Sequence, residues 1–315
     1  MIEVRKLCKQ YAGKHALTDL DLSAENGGIL GFIGPNGAGK STAMKMICGI
    51  MPPTSGSILI SGIDMVRFPR EAKEKIGYLP ENAPLYSGMN VAAFLNFCGK
   101  MRGLAGKQLE DAIAESVEKC RLKEVYREEL ESLSKGFKRR VCLAQAIMHH
   151  PENLVLDEPT DGLDPDQKRE IRHLIRELRM HASIIVSTHI LEEVDAVCDN
   201  VLAIRKGHCV FSGTAAQFRA LDPDDGILLF RFASGFKEEA FRTSGSFRIV
   251  SAEQKNGAAE LRVHPAKGIE TEKAMRDVFE AASASGQKII YCETGKGNLE
   301  KVFANLDSER KERGK

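Results

Sequence analysis

Residues 28–42 read Gly-Ile-Leu-Gly-Phe-Ile-Gly-Pro-Asn-Gly-Ala-Gly-Lys-Ser-Thr. The first six form an apolar run with the look of a buried strand. The last nine, Gly34, Pro35, Asn36, Gly37, Ala38, Gly39, Lys40, Ser41 and Thr42, satisfy G-x-x-x-x-G-K-[ST]. Ala43 to Cys48 then continue as the first turns of a helix. Strand, glycine-rich loop and helix in that order are the context the motif requires. The glycines let the backbone curl so that successive N–H groups point at phosphate oxygens. The helix start adds partial positive charge, Lys40 reaches the β/γ-phosphates, and the Ser41 hydroxyl can ligate Mg2+. The stretch therefore predicts a nucleoside triphosphate site.

The rest of the 315-residue chain fits around it. Its length suggests roughly two domains at about 150 residues each. A net charge of +1 gives no reason to expect nucleic acid as partner. No stretch reaches 18 apolar residues in a row, so no membrane span is expected. The first residues lack the apolar segment of a secretory signal. Eight cysteines without C-x-x-C spacing read as reduced thiols, and the expected location is cytoplasmic.

To about residue 222 strands alternate with helices. Strands are predicted at 56–60, 75–79, 153–156, 183–187 and 201–205, and helices at 90–102, 107–120, 138–149, 165–181 and 190–197. That rhythm argues for an α/β fold with a mostly parallel sheet. Gly207-His208 reads as a hairpin turn. The polar cluster 222–226 is a linker, and 223–315 forms a second domain. There a strand (227–232), short helix (236–243), two strands (247–252, 259–264), helix (269–284), strand (288–292) and helix (297–306) give the β-α-β-β-α-β order of a small ferredoxin-like α+β unit.

Further motifs narrow the chemistry. Leu154-Val155-Leu156-Asp157-Glu158 is an apolar strand ending in two carboxylates. Asp157 is placed to hold Mg2+, and Glu158 to orient the attacking water. Ile184 to His189 puts a histidine at the carboxyl end of another apolar strand, where ligands bind in open α/β sheets. On its own each could be structural: a strand end before Pro159, a satisfied histidine.

These motifs, with the loop Gly162-Leu163-Asp164-Pro165 and above all Leu133-Ser134-Lys135-Gly136-Phe137 ahead of a helix, resemble the nucleotide-binding subunit of ATP-binding cassette (ABC) transporters, whose signature loop is Leu-Ser-Gly-Gly-Gln. The resemblance covers roughly residues 2–220. It implies a P-loop ABC-type cassette with a helical subdomain at about 82–150 that meets a separate membrane permease. It implies that residues 34–42 bind ATP with Tyr11 stacked on adenine, and that Ser41, Glu81 and Asp157 hold Mg2+. Glu158 is then the catalytic carboxylate and His189 the γ-phosphate contact. Ser134 and Gly136 act in trans within a homodimer, and the subunit sits peripherally on the inner face of the membrane through its permease. Lys135 and Phe137 depart from the family's glycine and glutamine, and Glu81 from its usual glutamine. These departures look like the type-2 exporter group: gliding-motility, sodium-efflux or drug-efflux ATPases. Of Val91, Phe94, Leu95 and Phe97, most are expected in the core and a minority at the permease interface. A non-transport ABC ATPase of translation or DNA repair is the alternative, although such proteins usually carry two cassettes, a long coiled coil or a zinc insertion. A GTPase would need an Asn-Lys-x-Asp motif, which does not occur. The basic run Lys138-Arg139-Arg140 is expected to be solvated or at the dimer contact.

Overall fold

In the computed structural model, residues 1–315 are described except 83–84, 87, 223–224, 234–235, 243–244, 256–257, 296–300, 304–305 and 307–315. The chain divides into two compact units, Met1–Phe218 and Arg219–Lys315.

The first unit opens with β1 (Ile2–Tyr11) and β2 (Lys14–Ala24). The all-buried β3 (Ile29–Ile33) leads into helix α1 (Lys40–Ile47). There follow β4 (Ser55–Ile60), β5 (Ile63–Asp64), α2 (Pro69–Glu74) and β6 (Ile76–Leu79). A helical insertion comprises α3 (Val91–Met101), α4 (Gly106–Lys119) and α5 (Lys135–Ile147). The alternation then resumes through β7 (Asn153–Asp157), α6 (Pro165–Leu178), β8 (Ser183–Thr188), α7 (Leu191–Val197), β9 (Asn200–Arg205), β10 (His208–Thr214) and α8 (Ala215–Arg219).

Two sheets result. One has six strands in the order β10-β9-β3-β8-β7-β6, parallel except for the β9–β10 hairpin. The other, β2-β1-β4-β5, is antiparallel throughout. This second sheet corrects the sequence expectation: the segment near 56–60 is a strand but belongs to the antiparallel layer. Residues 2–24 alternate imperfectly because β1 and β2 are interrupted by register shifts. Leu7, Leu20, Ile58, Phe32 and Met44 share one core that takes in both sheets and α1. The hairpin turn is Lys206-Gly207 rather than Gly207-His208, with Lys206 at φ 48° and Gly207 at φ 80°.

In the parallel sheet the register decides where function can sit. Ile33 pairs with Thr188, Asp157 with Ser187, and Leu79 with Leu156. The residues that leave the strands at their carboxyl ends, namely Gly34, Pro80, Glu158 and His189, therefore emerge side by side.

In the insertion, Asn90 caps α3 by accepting from the Ala93 N–H at 2.8 Å. Val91, Phe94 and Leu95 are buried and Phe97 is partly exposed, its ring edge-on to Tyr86 at 5.6 Å.

The second unit holds β11 (Leu228–Phe232), β12 (Phe247–Lys255), β13 (Ala258–Pro265), α9 (Thr271–Ala284) and β14 (Ile289–Thr294). Its antiparallel sheet runs β12-β13-β11-β14. Phe230, Phe232, Leu261 and Val263 pack with Val278 of α9. The short helix expected at 236–243 is a single 3-10 turn, Glu238–Phe241. Most of the helix expected at 297–306 lies outside the described residues.

His149 joins α5 to the sheet, its Nε2 lying 3.2 Å from the Ile76 carbonyl. Burial pushes its pKa down to about 4. Neutral in the fold but titrating near 6.5 when unfolded, it contributes stability that is complete above about 6.5 and lost as pH falls through 4, about 3 kcal/mol in all. A His149→Gln variant, melted across pH 7 to 4 beside the wild type, should lose distinctly less stability over that window. Parallel curves would remove His149 from the acid response.

Candidate nucleotide site

The loop after β3 is shaped by what surrounds it. Gly39 stands at φ 111°, and a Cβ there would lie 2.8 Å from the Ala16 carbonyl oxygen. A Cβ on Gly34 would lie 2.5 Å from the Ile204 carbonyl oxygen. The Ala38 N–H donates to the Pro35 carbonyl at 3.1 Å, and the Gly207 N–H donates to the Ala38 carbonyl at 3.0 Å. The hairpin turn thus straps the loop from one side while β2 closes it from the other. Helix α1 starts at Lys40 with no side-chain cap. Its first N–H groups are left for an anion.

A cleft of about 1110 Å3 opens over this loop. It brings together Tyr11, Pro35, Asn36, Gly37, Gly39, Lys40, Ser41, Thr42, Glu81, Glu158 and His189. Gly34, Ala38 and the buried Asp157 are outside its lining. Lys14, His15, Ala16, Asp161, Lys206 and Gly207 also line it. Sequence reading missed these six; only the glycine of the β9–β10 turn carried a local signal.

Lys40 folds back on its own loop, donating to the Gly34 carbonyl at 2.6 Å, with Glu158 Oε1 3.9 Å away. Burial lowers its pKa, while Glu158, Asp157 and Glu81 oppose that shift. Phosphate oxygens at the loop would offer this ammonium stronger, charge-assisted acceptors. Tyr11 is 45% exposed, with Lys9 Nζ 5.2 Å from its ring centroid. A base can stack on such a ring.

Glu158 is held in an unusual backbone. Its φ is 48°, a conformation that costs a non-glycine residue on the order of 1–3 kcal/mol. The Ser187 hydroxyl accepts its N–H at 2.9 Å and donates to Asp157 Oδ1 at 2.5 Å. Its carboxylate meets His189 Nδ1 at 3.1 Å. Buried Glu193, which no motif flagged, accepts from the hydroxyls of Thr160 and Thr188 and so joins the loop after Glu158 to the one carrying His189. Ser41, Glu81 and Asp157 supply hydroxyl and carboxylate oxygens, the donor set Mg2+ prefers. The donor atoms of Glu158, Asp161 and His189 also lie within 4.8 Å of one another. A set with imidazole in it suits a softer ion than Mg2+.

Ser134 and Gly136 are not part of the cleft. Ser134 caps α5, accepting the Phe137 N–H at 3.3 Å. A Cβ on Gly136 would sit 2.4 Å from Gln167 Oε1 of α6, the movable end of that side chain. Lys135 reaches Asp161 at 3.0 Å, and that hydrogen bond draws the Asp161 carboxyl below the usual carboxylate range. Of Lys138-Arg139-Arg140, expected to be solvated or at the dimer contact, two are not solvated. Arg139 and Arg140 are buried, Arg140 against Glu170 of α6 and Arg139 among backbone carbonyls. A run of charge on a helix does not reveal that one face of it is internal.

Residues 17–161 match the ABC transporter family. The chain is 31% identical to the linearmycin resistance ATP-binding protein LnrL of Bacillus subtilis, over 97% of this chain and 98% of that protein. It is 34% identical to the uncharacterized ABC transporter ATP-binding protein YxlF of the same organism, over 70% of this chain and 72% of that one. A solved ATP-binding subunit of an ABC transporter superposes with a TM-score of 0.65 at 29% identity, covering 70% of this chain and 92% of its own. This chain belongs to the ABC transporter ATP-binding subunits. It is an ATP-binding and ATP-hydrolysing subunit. The relatives named are transporter proteins, which sets aside the translation or repair alternative.

Lys40→Ala should lower ATP affinity at least tenfold while the melting temperature moves by only a few degrees, because Nζ touches phosphate-loop carbonyls rather than core. A variant that melts far lower yet holds ATP as tightly would make Lys40 a packing residue.

Proposed function

We propose that this subunit works as a homodimer on the inner face of a membrane, driving export through a separate permease. Support for export comes from relatives: LnrL is named for resistance to linearmycin, and YbhF of Escherichia coli, 34% identical over 71% of this chain, for probable multidrug transport. The match to LnrL includes the second unit, so that unit belongs to the machine this chain shares with it. Among the described residues no helix is long and apolar enough to cross a membrane. A permease would supply the membrane path.

Within the cleft the roles divide by chemistry. The residues of 34–42 line the triphosphate, with Lys40 turning from the Gly34 carbonyl to phosphate, and Tyr11 stacks on adenine. Ser41, Glu81 and Asp157 would hold Mg2+, which when bound neutralises phosphate charge and polarises the leaving group. Glu158 accepts a proton from water and orients it toward the γ-phosphate. His189, in contact with the same carboxylate, keeps that oxygen in place and faces the phosphate.

The carrying observation is an asymmetry. Phosphate loop, Glu158 and His189 line one cleft, while Ser134 and Gly136 lie outside it. The N-terminus of α5, with Ser134 exposed on it, presents an anion-binding surface that this subunit's own cleft does not use. A second copy, related by a two-fold axis, brings that surface to the ATP of the first. ATP then favours the closed dimer over the open one, and hydrolysis removes the preference.

Glu158→Gln should bind ATP normally, turn over on the order of 10²–10⁴-fold more slowly, and accumulate as an ATP-bound dimer on size exclusion. Undiminished turnover would take the catalytic role from Glu158. The trans assignment has its own test. Ser134→Arg and Lys40→Ala homodimers should both be inactive. Their heterodimer carries both lesions in one site and neither in the other, so ATPase activity should partly return. Verified heterodimers as inactive as their parents would refute independent composite sites.

A further inference from the structure

Arg139 lies on α5, five residues beyond Ser134, and is 5% exposed. Its guanidinium has five N–H donors in a rigid plane. All five are used, and each ends on a backbone carbonyl. Nη1 donates to Pro80 at 2.8 Å and to Glu81; Nη2 donates to Asp157 and Glu158; Nε donates to Pro159 at 3.4 Å. The first two carbonyls belong to the loop after β6, and the other three to the last residue of β7 and the loop that follows it. One side chain therefore joins the peptides that carry the two cleft carboxylates, Glu81 and Glu158, and joins both to the helix that starts at Ser134.

We propose that Arg139 is a positioning residue for hydrolysis: it fixes the Glu81 and Glu158 peptides relative to each other and makes them follow α5. This rests on the reading of Glu158 as the catalytic carboxylate. Glu158 sits at φ 48°; Ser187 holds its N–H, and its carbonyl accepts from Arg139 and, at 3.2 Å, from the Asp161 N–H of the following turn. Without the guanidinium only bonds local to its own loop and to β8 remain on the Glu158 peptide, its tie to the Glu81 loop and to α5 is lost, and its carboxylate is held less firmly where it meets His189. Lysine cannot substitute, since a single ammonium has three donors and cannot span two loops in one plane. The five hydrogen bonds of Arg139 all end outside the phosphate loop, so nucleotide binding should be spared. A device of this kind lets a displacement of α5, which carries the surface that meets the partner's nucleotide, reach both carboxylates of its own cleft at once.

The test separates turnover from binding. Arg139→Met and Arg139→Lys should lower kcat roughly 10- to 100-fold and about 3- to 10-fold, with KM for ATP and the affinity for a fluorescent ATP analogue within about twofold of wild type. In a Glu158→Gln background, Arg139→Met should reduce kcat no further, because its effect passes through Glu158. Wild-type kcat in a folded Arg139→Met protein overturns the proposal, as does a loss of ATP affinity that parallels the loss of turnover. If Glu158→Gln alone turns over normally, the reading of Glu158 fails instead. Should the methionine variant not fold, the wild type decides by hydrogen exchange. Peptides covering 76–82 and 157–163 should change protection together when ATP is added, and independent changes would refute the coupling.

Discussion

The start of α1 is a helix end that no side chain caps among the described residues, and the architecture around it makes sense as the means of keeping it that way. Exposed N–H groups and the positive end of a helix are stabilised by an anion. Gly39 in left-handed backbone turns the chain into the helix without a capping side chain, and the Ala16 carbonyl behind it leaves no space for one on that residue. The Gly207 N–H on the Ala38 carbonyl fixes the loop from the hairpin side. Lys40 bonds the Gly34 carbonyl of its own loop. A carbonyl is a neutral acceptor, and phosphate oxygens offer this ammonium charge-assisted bonds that are stronger.

Charge around the cleft is opposed rather than uniform. Lys14, Lys40 and Lys206 lie with Glu81, Glu158 and Asp161 around one space, and the buried Asp157 is outside its lining. Cations alone would hold the triphosphate and its products too firmly, while carboxylates alone would repel it. Together they favour a triphosphate accompanied by a divalent ion, whose charge both sets can share. The carboxylates also need support that ion pairing does not give them. The 3.9 Å separation of Lys40 and Glu158 is long, whereas the peptides on either side of Glu158 are tied by Ser187 and Arg139. Backbone bonds fix where this residue leaves the chain, and His189 at 3.1 Å meets its carboxylate.

What could be read from the chain follows from which physical signals are local. Runs such as Ile29–Ile33, Leu154–Leu156 and Ile184–Val186 are continuous because parallel strands are covered on both faces. The loops at their ends carry polar residues in a fixed order, so the phosphate loop, Asp157, Glu158 and His189 were legible at once. The antiparallel sheet was not. Its first two strands contain Lys6 and Asp19 at positive φ and several register shifts, which break the period of two. Nor was the burial of Arg139, Arg140 and Glu193. Each is buried because partners distant in sequence converge on it: carbonyls after β6 and β7 for Arg139, Glu170 for Arg140, Thr160 and Thr188 for Glu193. Hydropathy registers the charge and not the acceptors.

The departures at the signature loop take on meaning in the same terms. Glycine at 135 would leave α5 joined to the loop after β7 chiefly through the guanidinium of Arg139. Lysine adds a second tie, to Asp161, over Gly162, where even a Cβ would come 2.1 Å from Lys135 Nζ. Phenylalanine at 137 lies 5.8 Å from the Arg140 guanidinium, which in turn reaches Glu170 on α6. Lys135 therefore ties the helix to the loop after β7, while Phe137 lies against the arginine that ties it to α6. The exposed Lys135–Asp161 pair contributes little to stability, since water screens it. Its consequence is positional: the start of α5, for which we propose contact with a partner's nucleotide, and the loop that follows Glu158 meet through this pair, so whatever draws on Lys135 acts on Asp161 as well.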